Sequence, residues 1–109
     1  MVGVGFKDII KTNQYKFNSA SIGHGAYMIS HNSYTYSHHN KGSNMVMKGM
    51  AFASGEEITI LIKGESVVFT KKTDQKSVTL ALKKMTDADW KQLAVCVMLG
   101  GIGDKIDII

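Results

Sequence analysis

Apolar residues recur along this chain in short runs, many of them alternating. The residues that separate the runs are Gly, Asn, Ser and Asp, which predicts strands almost throughout. From Val2 to Phe6 the apolar positions alternate with Gly3 and Gly5, so one strand face carries side chains and the other none; glycines placed this way let another backbone pack close. Lys7 to Gly25 reads as one long polar connection punctuated by Tyr15 and Phe17. Ala26 to Ser30 and Ser33 to Ser37 form a hairpin about His31-Asn32, with Asn32 supplying the positive φ of a tight turn. His38 to Met47 is a polar loop, and the strand pattern resumes near Lys48.

The clearest unit is a second hairpin, Glu57 to Lys63 and Ser66 to Lys71, turning at Gly64-Glu65, with Ile58, Ile60 and Ile62 on one face. In the strand Ser77 to Leu82, Val78, Leu80 and Leu82 alternate with small polar partners. Thr86 can cap a helical turn that Asp87 and Asp89 begin. Leu93 to Leu99 is an unbroken apolar run of the kind buried on both faces. Gly100-Gly101-Ile102-Gly103 reverses the backbone before a last strand, Asp104 to Ile109. Phe52, Phe69, Val95, Val97 and Trp90 are the expected core, and Gly55 the expected turn glycine.

The 109 residues suffice for one domain with a modest core. The net charge of +4 comes from 13 lysines and no arginine. Lysine is a point charge without the planar fork that reads bases and phosphates, so a nucleic-acid partner is disfavoured. The single Cys96, inside the apolar run, excludes an internal disulfide and fits a reducing, intracellular compartment. No stretch is long and apolar enough to span a bilayer.

Candidate chemistry is thin. His24, His31, His38 and His39 crowd one region without a nearby cysteine or paired ligand spacing, so they read as loop and surface histidines and not as a metal site. Asp87 and Asp89 are the nearest thing to a carboxylate pair, and a helix start accounts for them. The glycines at 100, 101 and 103 lack the lysine and following helix of a phosphate loop. Met45, Met47 and Met50 serve equally as contact surface or core filler. No catalytic residue, metal or cofactor is called for.

In order, these landmarks resemble the later part of a SPRY domain. Gly3-Val4-Gly5 matches the family's Gly-x-Gly strand, and Gly25-Ala26-Tyr27 its Gly-x-Tyr segment. Phe52-Ala53-Ser54-Gly55-Glu56-Glu57-Ile58 matches Phe-x-x-Gly-Asp-x-Ile, with Glu56 where the family prefers Asp. Val67-Val68-Phe69-Thr70-Lys71 matches its Val/Leu-x-Phe-x-Lys strand, and Leu93 to Val97 its final apolar strand, preceded by Trp90-Lys91-Gln92 in place of an aromatic-proline pair. The resemblance implies an all-β, concanavalin-like antiparallel sandwich over residues 1–109 that lacks its first strands. It also implies an intracellular scaffold without enzymatic activity that binds a protein partner through end loops. By position those loops carry Tyr15 and Phe17, then His38, His39 and Asn40, then Met98, Gly100, Gly101 and Ile102. A sheet edge left open by missing strands invites self-association or strand complementation by a partner. The competing expectations are a small structural subunit of a large assembly and, behind it, a carbohydrate-binding sandwich.

Overall fold

The computed structural model describes residues 1–99 and 105–107. Among them the chain forms seven strands and two short helices: β1 (Val2–Phe6), α1 (Lys7–Thr12), β2 (Ala26–Ile29), β3 (Thr35–Ser37), β4 (Ile58–Lys63), β5 (Ser66–Lys71), β6 (Ser77–Ala81), α2 (Asp87–Gln92) and β7 (Leu93–Val97). They build two antiparallel sheets, ordered β3-β2-β1-β7 and β4-β5-β6. The fold is all-β in its main architecture.

Alternation turns the sequence pattern into a shared core. Val2, Val4 and Phe6 of β1, with Tyr27 and Ile29 of β2, pack with Val67 and Phe69 of β5, Leu80 of β6, and Leu82 and Met50. Ile58 and Ile60 of β4 and Val78 of β6 add to this layer, as their alternation predicts. On the other face of the larger sheet, Ala26, Met28 and Tyr36 form a smaller cluster with Met1, Phe17, Tyr34 and Cys96.

Both predicted hairpins form, with Tyr27 opposite Ser37 in the first and Ile60 opposite Phe69 in the second. Gly64 takes φ 61° in the second turn and Gly55 φ 87° in its own. In the first turn the left-handed residue is Ser33 (φ 76°), not Asn32. Thr86 caps α2 as expected: its hydroxyl accepts from Asp89 N–H while the Asp89 carboxylate accepts from Thr86 N–H.

The structure corrects four further expectations. The connection after β1 begins as helix α1, with Asp8 in its first turn and Lys11 in its last; the one apolar pair, Ile9-Ile10, is too short to show helical periodicity. No strand resumes at Lys48, where the backbone is instead held by isolated bridges from Asn32 to Ala51 and Thr35 to Val46. Residues 105–107 form no strand, and the rest of the predicted last strand lies outside the described residues.

The largest correction concerns the apolar run. Among the described residues β7 pairs only with β1 and is an edge, with Val95 56% and Val97 44% exposed, and Trp90 before it is 39% exposed. Val95 and Val97 stand opposite Val4 and Val2 and so share their inward face. The smaller sheet is one strand narrower than the larger, which leaves β7 without cover on that side.

Candidate functional site

The outer face of the larger sheet carries a trough that follows from the glycine alternation of β1. Gly3 stands between Met28 and Cys96, and Gly5 between Ala26 and Ala94, so the middle strand presents no side chain between its neighbours. A methyl group at Gly3 would collide with the Tyr27 carbonyl and lie 2.7 Å from Met28 Cα, which makes glycine a condition of the β1–β2 pairing. At Gly5 the space is taken by Ile10 Cδ1 of α1, 2.7 Å from where a Cβ would stand.

Above this floor the chain leaves a groove of about 140 Å³, bordered by Ile10, by Tyr15, Lys16 and Phe17, by His24, and by Val97 and Met98. The volume suits one aromatic ring or branched aliphatic side chain; pockets for cofactors and drug-sized molecules run to roughly 300–1,000 Å³. A wider, open depression of about 330 Å³ on the same loop is lined by polar residues, among them Asn13, Asn18 and Ser21. Tyr15 is 74% exposed at the groove rim; it and Gln14 adopt φ near 60° as the chain leaves α1. Phe17 lies edge-on to His24 at 4.6 Å and to Tyr36 at 5.8 Å between ring centres. Burial raises the pKa of the Cys96 thiol against the pull of the N-terminal ammonium, so the groove floor is uncharged at neutral pH.

The loop that walls the groove is held by histidines. His24, expected on the surface, is only 4% exposed. Its Nδ1 accepts from Ala26 N–H at 3.1 Å, which puts the ring hydrogen on Nε2 for donation to Asn44 Oδ1. His38, half-buried, accepts from Gly25 N–H at 2.9 Å through Nδ1. Burial lowers the pKa of both rings; the Asn44 bond partly opposes this at His24, while His24, Lys83 and His39 add to it at His38 against Asp89.

The Tyr27 hydroxyl accepts from Lys83 N–H at 3.0 Å and shares a hydrogen bond with His39 Nδ1 at 2.9 Å, and burial pushes its pKa up to about 12. Lys83 Nζ pairs with Asp89 at 2.8 Å, lowering the pKa of that carboxyl to about 2.

Of the residues marked from sequence, the structure brings Tyr15, Phe17 and Met98 to one groove. His38, His39 and Asn40 do not line it: the two rings take the bonds just described, and Asn40 Oδ1 accepts from Gly42 N–H in a short 3-10 turn, Lys41–Ser43. Gly100, Gly101 and Ile102 lie outside the described residues. Met45 and Met47 are exposed while Met50 is core. Sequence reasoning missed Ile10, His24, Ala26, Met28 and Cys96 as groove residues, though the side-chain-free face of Gly3 and Gly5 was the signal for its floor.

Among the described residues no group of His, Cys, Asp and Glu is arranged to hold a metal ion, and no helix is long and apolar enough to cross a membrane. No family model, curated protein or solved structure matches the chain.

Proposed function

We propose that the chain is a SPRY-like β-sandwich that works as a non-catalytic interaction module, taking one apolar side chain of a protein partner into the groove beside Tyr15, Phe17 and Met98. The observation that carries this reading is the convergence of Tyr15 and Phe17 of one loop with Met98, far from them in sequence, on a groove with room for one side chain. Recognition then follows ordinary physics: the groove desolvates an apolar anchor, and exposed Tyr15 closes over it at low entropic cost. The two sheets around one core and the Gly-x-Gly strand at the centre of the larger sheet support the sandwich part of the proposal.

Selection of random peptides on the immobilised chain tests it. Peptides sharing an aromatic or aliphatic anchor, with binding weakened about tenfold by Tyr15→Ala and by Met98→Glu, are the expected result. Selected peptides that ignore both substitutions, or a selection that enriches none, would overturn it.

A further inference from the structure

The edge of β7 differs from the other edges of the two sheets. β3 is covered by the bridge from Thr35 to Val46, β4 ends on Lys63, and β6 lies between Lys76 and the pair Lys83-Lys84. From Leu93 to Leu99 there is neither a charge nor a proline, the usual devices against edge pairing. The direction of the backbone groups also follows from the pairing. Met98 N–H bonds to Met1 O, so the groups of residues 94, 96 and 98 face β1, and those of Val95 and Val97 face outward, unbonded among the described residues. Beside them the Val95 and Val97 side chains stand exposed on the inward face.

From this geometry we propose that β7 pairs antiparallel with β7 of a second copy of the chain, about a two-fold axis at Cys96. Alternation of the bonding groups requires the axis to pass through a residue and not between two. Centring it on Cys96 sets Val95 opposite Val97 of the second copy twice over, joins their outward N–H and C=O groups, and covers the exposed valines on both sides. From Leu93 to Leu99 the strand carries no charge, so two copies meet at this edge without setting lysine against lysine, and a charged partner would gain nothing from it. A two-fold contact of like surfaces needs no second species. One strand pair is small beside the roughly 1,200–2,000 Å² of a stable complex, so the dimer dissociates on dilution. The two Cys96 residues then form a non-bonded pair with Cα atoms about 4.5 Å apart, within the span of a disulfide.

Sedimentation equilibrium from about 5 µM to about 500 µM, with diamide crosslinking of parallel samples, tests the pairing. The expected mass rises from one chain to two, diamide links Cys96 to Cys96, and Val95→Lys weakens both effects about tenfold or more. Leu61→Lys, an equally exposed apolar position on β4, and Tyr15→Ala on the groove rim leave the dimer intact, which separates this contact from the groove. A one-chain mass at every concentration would overturn the proposal, and so would a dimer indifferent to Val95→Lys.

Discussion

His24 Nε2 donates to Asn44 Oδ1 at 2.8 Å across twenty residues of sequence, and that bond ties the loop walling the groove to the segment after β3. Asn44 makes two more bonds from its buried position: its Oδ1 accepts from Ser37 N–H at 3.1 Å, and its Nδ2 donates to Ser19 O at 2.9 Å. Replacing Asn44 by Ala strands three polar groups at once, at about 1–3 kcal/mol for a buried group left unpaired. Urea denaturation of Asn44→Ala is expected to show a loss at or above the top of that range, whereas Asn40→Ala, which removes one exposed turn bond, stays near 1 kcal/mol or below.

Acid should loosen the same region. The folded chain keeps His24 and His38 neutral because each Nδ1 already accepts a backbone N–H and burial penalises the charged ring, while the unfolded chain titrates near the ordinary value of 6.5. Above that pH neither state takes the proton and stability is level. Below it the unfolded chain binds protons that the folded chain refuses, so stability falls until the folded rings protonate as well. Denaturation midpoints at fixed temperature should therefore drop between about pH 6.5 and 5, above the range in which Asp89 titrates. His38→Gln, whose amide oxygen still accepts from Gly25 N–H, should flatten the drop; an unchanged slope would assign the loss elsewhere.

Phe69 is fully buried between the sheets, and its substitution by Ala should cost roughly 3–5 kcal/mol in thermal or urea unfolding. Leu61, on the outward face of the neighbouring strand, should cost well under half of that.

That contrast shows what the sequence makes legible. Period-two alternation in β4, β5 and β6 marks inward and outward positions directly, because each residue's face depends only on its neighbours in the strand. The exposure of Val95, Val97 and Trp90 is not legible in the sequence, because cover depends on how many strands the opposing sheet contributes, which no local pattern records. The groove was half visible. Tyr15, Phe17 and Met98 stood out as aromatic or apolar residues in connections, whereas His24 and Cys96 join them only through the register of β2 and β7 on β1. The helix after β1 was hidden for a simpler reason: six residues with one apolar pair contain less than two turns of signal.

The two glycines of β1 test the floor of the trough, and they should respond differently to the same added methyl. At Gly3 the methyl meets the Tyr27 carbonyl and Met28 Cα, backbone atoms of a paired strand that cannot yield without breaking the β1–β2 ladder. At Gly5 it meets chiefly Ile10 Cδ1, the free end of a half-buried side chain that can change rotamer, with the Gly25 carbonyl next at 3.2 Å. Overpacking costs about 1–3 kcal/mol where side chains can adjust and more where the backbone must move. Gly5→Ala is therefore expected to fold with a loss of about 1–2 kcal/mol, and Gly3→Ala to lose more than 3 kcal/mol or fail to fold. Because Ile10 also borders the groove, Gly5→Ala should weaken selected peptides while keeping the far-ultraviolet circular dichroism of the parent chain. Equal destabilisation by the two substitutions would mean that α1 is as immovable as the strand, and that the groove beside it is rigidly shaped by the helix.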